Sequence, residues 1–362
     1  MKLTNAKYLL LGSVLHSVFT FSAQAQAVFA DVDPLFVTVP RFAKSYEINA
    51  SLLYFQPTSS SLDYAILTNP LPLPTPQWRI KTVKPGYDAN FNIGLAYAID
   101  NTANDLQLSW THTDFSDSKS VTASAVNPTQ FTGPFYEIGP DAGTIRQGRG
   151  RAKFRYDVVN LDAGQFVDYG RRFQTRFFAG LNYLHLKQSL KTSFSIVGDP
   201  NFSFTSENIS EFNGVGPRLG IAGTYELCYG FGLTAQLAGT ASVGRVKTRM
   251  NFNSTSTALI ILGANPNQQA ITADHIARIV PGGDAKLGVT YFHPFGRDYL
   301  LGLEAGYQVT SYMDPIEDVY PTSLVTNPAT PLQSGTIAVN TMGESQSNFG
   351  VSGPYFKAAF KF

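Results

Sequence analysis

His112 and Asp114 lie two residues apart, the spacing that puts both on one side of an extended strand. A histidine beside a carboxylate is the pairing that general-base chemistry requires, and His185 offers a second imidazole of the same kind. Neither is supported by a motif. No GxSxG, HExxH or Walker-type phosphate loop occurs among the 362 residues, so the histidines read as hydrogen-bonding groups and no catalytic residue is assigned. The single cysteine, Cys228, excludes an internal disulfide framework and any multi-cysteine metal centre. No cofactor or metal is expected.

A second group of reactive side chains recurs at alternate positions opposite apolar ones: Glu47, Lys153, Arg155, Asp157, Arg176, Arg218, Lys286, Glu304, Lys357 and Lys361. What positions them is period-two patterning, the mark of a strand with two unlike faces. Ten segments show it. Tyr46, Ile48, Ala50, Leu52 and Tyr54 alternate with Glu47, Asn49 and Ser51, and Phe91, Ile93, Leu95 and Tyr97 alternate with Asn92, Gly94 and Ala96. Further segments centre on Leu108, Tyr156, Leu181, Leu219, Leu237, Val289 and Leu303. The tenth ends the chain, with Phe356, Ala358, Phe360 and Phe362 at every second position. The segment through Tyr156 changes phase near Asn160, which predicts a bulge there.

Each segment is long enough for a tilted strand to cross a bilayer. Short connections are expected near 100–104, 168–173, 227–230 and 293–298. Long ones are expected over 57–87, 116–151, 188–213, 245–284 and 311–347. Short turns on one side and long loops on the other describe an all-β transmembrane antiparallel up-and-down barrel of about ten strands, with eight or twelve as alternatives. The turns belong on the periplasmic side and the loops outside.

The start of the chain agrees with export. Lys2 and Lys7 precede an apolar stretch over 8–21, and two Ala-Gln-Ala cleavage patterns follow at 23–27. Residues 1–27 therefore read as a cleaved signal peptide, 28–44 as a periplasmic lead-in and 45–362 as the barrel. Without Lys2 and Lys7 the chain carries 25 basic against 26 acidic residues, too even a balance for a nucleic-acid partner. Only 15% of residues are charged, while Phe, Tyr and Trp number 27, 18 and 2. No later stretch has 18 consecutive apolar residues, so any membrane crossing must be made by strands.

RYDVVNLDAGQ (155–165), RFFAGLNYLHLKQSL (176–190), FNGVGPRLGIAGTYEL (212–227), GFGLTAQLAGTASVGRV (230–246) and the ending NFGVSGPYFKAAFKF (348–362) together resemble the Legionella-type major outer membrane protein family. The resemblance implies residence in a Gram-negative outer membrane, among lipid and lipopolysaccharide, with porin-like activity. Phe356, Phe360 and Phe362 resemble the terminal signature read by the outer-membrane assembly machinery.

If the apolar face meets lipid, Glu47, Arg155, Asp157, Arg176, Arg218, Lys286, Glu304 and Lys357 line the lumen. Lysine or arginine on the lipid side at mid-bilayer costs about 2–4 kcal/mol, which supports the inward assignment. Small companions such as Asn92, Gly94, Thr111, Thr240, Gly288 and Thr290 leave room for water. A porin for passive diffusion of small hydrophilic solutes or ions follows, with a basic lean toward anions. The alternative is a closed structural or adhesive barrel, its charges neutralised in pairs such as Arg218 and Lys286 with Glu304. Ala258–Gly263 and Thr272–Ile279 are candidate gating segments, and the proline-rich 71–76 should be stiff. Trp110, Tyr54, Tyr97, Tyr183, Tyr307 and Tyr312 are expected in interfacial girdles. The thiol of Cys228 also permits cross-linking of two copies, so a homo-oligomer is among the expected assemblies.

Overall fold

All ten alternating segments are strands in the computed structural model, which describes residues 37–67, 79–123, 126–128, 145–196, 199–254, 268–273, 276–295, 299–326 and 336–362. Among these residues ten long strands build the barrel: β1 (Ser45–Ser59), β2 (Asp88–Ala98), β3 (Asn104–Thr122), β4 (Ile145–Tyr169) and β5 (Phe173–Ile196), then β6 (Asp199–Glu226), β7 (Phe231–Ser254), β8 (Ile276–Phe295), β9 (Tyr299–Thr326) and β10 (Thr336–Lys361). Each pairs antiparallel with its sequence neighbour, and β10 returns to pair with β1, so the ring closes. Around the lower part of the ring every strand is paired on both sides, the condition for standing in lipid, while the upper parts of β3, β9 and β10 run past one neighbour. The signal peptide and most of the lead-in lie outside the described residues. Val37–Thr38 pairs with Asp168–Tyr169 at the end of β4.

Partner-to-partner steps around the ring show the stagger. They lead from Ile279 on β8 through Val243, Val215, Tyr183, Val159 and Trp110, and then through Ile93, Ala50, Ala358 and Leu303 back to β8 at Tyr291. The return falls twelve residues along the strand (279 to 291). Such a shear leans the strands roughly 40° from the barrel axis.

At the end that holds the short connections, Tyr229 and Gly230 carry φ of 52° and 84°, and Phe231 N–H donates to the Cys228 carbonyl at 3.0 Å. Two positive φ values in succession make the primed turn whose twist suits a two-strand hairpin. The opposite end departs from expectation. The 188–213 connection is mostly strand, since β5 runs to Ile196 and β6 begins at Asp199. Much of 116–151, 245–284 and 311–347 is likewise strand, and Gln268–Thr272 adds to β7 rather than coiling. The strands therefore continue well beyond the length a bilayer needs. Ala258–Gly263 and the 71–76 segment lie outside the described residues.

The polarity of the two faces inverts along these long strands. On β5, Phe177, Leu181 and Tyr183 face outward while Arg176 and Asn182 are buried inside. One step further, His185 and Lys187 face outward while Leu184 and Leu186 are fully buried inside. β4 changes in the same way, with Asn160 and Asp162 inside below the step and Val158, Tyr156 and Phe154 inside above it. No bulge occurs near Asn160: the β4–β5 register is unbroken from Gln147 to Tyr169. The change of phase in the sequence is the point where the strand leaves hydrocarbon for water, so that the apolar side is needed within and the polar side without.

Candidate functional site

The interior has two storeys. In the lower one, near the short turns, inward positions of β3 to β8 carry a network of ion pairs. Arg176 Nε donates to Asp105 Oδ1 at 2.8 Å, and Arg218 reaches Asp284 at 2.6 Å and Asp162 at 3.3 Å. All five side chains are at most 10% exposed. Phe178 lies between the two guanidinium groups, with Arg176 5.0 Å and Arg218 5.5 Å from its ring centroid. Such stacking suits the flat, weakly hydrated arginine head. Asn182 donates to Asn160 at 2.7 Å and accepts from Ser242 at 3.0 Å, which ties β4, β5 and β7 together across the inner face.

The other side of the same storey is wetter. Lys357 and Glu47 approach to 3.9 Å with side chains each 31% exposed, although both point inward. Gln236, Thr240, Gln308 and Ala359 are likewise only half-buried. Glu304 accepts a hydrogen bond from the Tyr355 hydroxyl, and Lys286 lies 6.0 Å from the Tyr355 ring centre. Half-buried inward side chains thus run along β7 to β10 and β1, interrupted by the buried Ser242, Thr290 and Tyr355, while the β3–β6 side is filled by its ion pairs.

The upper storey is packed. Phe55, Phe115, Phe154, Phe194, Phe212 and Phe349 are all at most 2% exposed. Two inserts complete the packing. One is a small sheet of Asp63–Leu67, Arg79–Thr82 and Val126–Pro128 that buries Tyr64, Ala65 and Val126 inside the mouth. Glycines admit it: a Cβ on Gly150 would lie 2.6 Å from the Tyr64 ring, and one on Gly148 3.0 Å from Val126. The other insert is the β9–β10 hairpin. Its register shifts between Tyr312 and Ile316, and Asp314 there has φ of 53°. Beyond this bulge Ile316, Glu317, Asp318 and Val319 are buried in succession, as expected of a strand enclosed on both faces. The Glu317 amide donates to Ser210 Oγ at 3.0 Å, Thr248 donates to the Glu317 carbonyl at 3.3 Å, and Arg278 pairs with the Glu317 carboxylate. The hairpin therefore folds inward onto β6, β7 and β8.

The structure places Glu47, Arg176, Arg218, Lys286, Glu304 and Lys357 inside. It turns Arg155 and Asp157 outward, with Lys153, because Phe154 and Tyr156 occupy the interior at that level. Arg155 is 57% exposed and lies above the apolar belt, so it meets no hydrocarbon and incurs no lipid-burial cost. Three carboxylates of the lower storey escaped the sequence reading, Asp105, Asp162 and Asp284, as did Glu317 and Asp318 above them. Period two places each of the first three with inward neighbours, Asp284 with Lys286 and Asp162 with Asn160, and that signal was available. With them present the interior loses its basic lean. Tyr312, expected in a girdle, is 3% exposed inside the barrel, whereas Tyr54, Trp110, Tyr183 and Tyr307 do face outward. His112 bonds Asp157 rather than Asp114, Nδ1 to Oδ1 at 2.6 Å, and His185 bonds Asn213, both on the outer surface. Phe356, Phe360 and Phe362 are exposed on the outer side of β10 and at the chain end.

Residues 38–362 match the family model of the Legionella pneumophila major outer membrane protein precursor. None of the curated proteins matches the chain. Solved structures with some likeness include the Escherichia coli outer membrane protease OmpT, at 9% identity over 90% of this chain and 98% of that one, with a TM-score of 0.40. The Pseudomonas putida toluene transporter TodX has 8% identity over 89% and 90% of the two chains and a TM-score of 0.30. A major outer membrane protein from Thermus thermophilus has 10% identity over 68% and 100%, with a TM-score of 0.28.

Proposed function

The chain belongs to the Legionella major outer membrane protein family, and from that premise we propose that it is a porin-like diffusion channel of the outer membrane whose mouth is closed in the conformation described here. The observation that carries this reading is the strip of half-buried inward side chains on which Glu47 and Lys357 stand, each 31% exposed inside a closed ring. Water beside facing charges is what a permeation path for small hydrophilic solutes requires. Closure is supplied by the aromatic storey and the inward hairpin, an apolar constriction that excludes water until it moves. Since Glu47, Asp105, Asp162, Asp284 and Glu304 stand among the interior cations, selectivity between anions and cations is weak. No enzymatic step is assigned, and Phe356, Phe360 and Phe362 serve as the surface offered to the assembly machinery.

Single-channel recording of the folded protein in a planar bilayer tests the proposal. Rare steps are expected from the native chain, with frequent, larger steps once the mouth is loosened. A folded barrel that stays silent in both forms overturns it. The second reading, a permanently closed structural barrel, would then stand on the packed phenylalanines of the mouth.

A further inference from the structure

The charges that proved to face outward form a one-sided field. On five adjacent strands the outer surface turns from apolar to polar at a single step: Trp110 to His112, Val159 to Asp157, Tyr183 to His185, Val215 to Asn213 and Val243 to Arg245. These steps are register partners of one another across β3 to β7. Above them the same strands expose nine lysines and arginines, at outward positions of 149–155, 187–191 and 245–249. Among the outward side chains described on these strands, four carboxylates accompany them: Asp114, Asp157, Glu207 and Glu211. Asp157 is held by His112 at 2.6 Å, but the pairs that lysine and arginine form are loose, Arg155 to Asp114 at 3.6 Å and Lys187 to Glu211 at 3.8 Å. Exposed pairs of that kind are easily exchanged for another anion. Arg245 and Lys247 have no carboxylate partner among the described residues. Around the rest of the barrel the outward positions at the corresponding step are uncharged, as at Gln56, Thr58, Ser311 and Ser352.

A groove of about 550 Å³ crosses the step on this charged side. Its lower wall is Tyr183, Val215 and Val243, and its upper wall is Asn213, Arg245 and Lys247 together with Glu211, whose carboxylate is drawn aside by Lys187 at 3.8 Å. We propose that this face docks a phosphorylated, multiply acylated glycolipid of the outer leaflet, the chemistry of the lipid A part of lipopolysaccharide. Its phosphates meet Arg245, Lys247 and Lys187, and an acyl chain runs down Val215 and Val243. Two complementarities coincide at one level: cations lie directly above an apolar surface, as phosphates lie directly above acyl chains. An acidic polypeptide would use the cations and leave the apolar half of the groove idle. The inference rests on family membership and on the outward register. It does not depend on conduction, so a silent channel would leave it intact.

The test titrates the folded full chain, in micelles of a neutral detergent, with diphosphoryl lipid A, its monophosphoryl form, inorganic phosphate and poly-glutamate, with binding read by native mass spectrometry. Diphosphoryl lipid A should bind best. Arg245→Ala with Lys247→Ala should weaken it roughly tenfold, the equivalent of one strong ionic contact. Thr58→Glu, on the uncharged side, should change nothing. Lys187→Gln provides a second variant should the double substitution fail to fold. Equal affinity in all variants overturns the proposal. So does equal competition by inorganic phosphate or poly-glutamate, since either would show an anion-binding surface without lipid chemistry.

Discussion

The hydroxyls of Tyr156 and Tyr312 lie 3.1 Å apart, although β4 and β9 stand five strands from each other in either direction around the ring. Two side chains therefore bridge the full bore. Phe349 packs against Tyr156 at 5.5 Å between ring centroids and completes a floor between the wet lower storey and the apolar mouth. This floor is one layer of the closure, beneath the packed phenylalanines and the two inserts of the mouth, and single substitutions test its share.

Tyr312→Phe removes the hydroxyl contact and keeps the ring, so conductance should rise only slightly. Tyr312→Ala removes the ring and should give a clear increase in open events. It should also destabilise the barrel by about 3–5 kcal/mol through the cavity it leaves. Bilayer recording, together with the temperature at which the folded band is lost from an unheated gel, separates these effects. Identical traces from Tyr312→Ala and the native chain would remove the tyrosine pair from the gate.

The hairpin beyond the bulge carries a pH response. Asp318 is 2% exposed, and burial pushes its carboxyl from 3.8 up to about 7, with the neighbouring Glu317 adding to the rise against a hydrogen bond from Ser61. Between those two values the docked hairpin holds a proton that the released hairpin gives up, so docking weakens as pH rises through this window and is level above it. Open events should therefore increase from pH 5 to pH 8. Asp318→Asn, which stays neutral, should flatten the dependence, and a rise that persists in this variant would place the titrating group elsewhere.

Strand number, closure and sidedness were legible because each rests on a local, repeated signal: alternation, turn length and the aromatic ending. The interior was legible only in part. Arg176 and Arg218 lie inward because Phe177 and Leu219 beside them take the outer face. Arg155 was misassigned because the rule that apolar means outward holds only within hydrocarbon, and β4 has left it by Val158. The alternation around Asn160 recorded that exit, but alternation alone carries no depth. The inward fold of the hairpin was not legible at all. It depends on Ser210, Thr248 and Arg278 meeting Glu317, three partners distant in the chain that only the closed ring brings together.

Arg218 holds two carboxylates, Asp162 and Asp284, in a buried setting. Arg218→Ala leaves both without their cation, and breaking a buried pair in this way costs about 3–5 kcal/mol. The folded band should be lost at a markedly lower temperature. Combining Arg218→Met with Asp162→Asn and Asp284→Asn removes charge from all three positions and should recover much of the loss. A triple variant no more stable than Arg218→Ala would show that packing around the guanidinium, and not the charge balance, sustains this part of the interior.

Hydration of the strip can be probed by chemistry. In a Cys228→Ser background, which removes the exposed native thiol, Glu47→Cys and Lys357→Cys should react quickly with a charged, membrane-impermeant thiol reagent. Both side chains point inward and are 31% exposed. Leu52→Cys should resist in a bilayer, since the native side chain is 60% exposed on the outer surface where lipid covers it. Asn182→Cys, buried in the ion-pair side of the lumen, should resist too. The contrast between Lys357 and Asn182 decides the matter, because both face inward and only water access separates them. Fast labelling at both would mean that the ion-paired side is also hydrated and the path wider than a strip. Slow labelling at both would mean that no continuous water reaches the level of Glu47, and the channel reading would lose its main support.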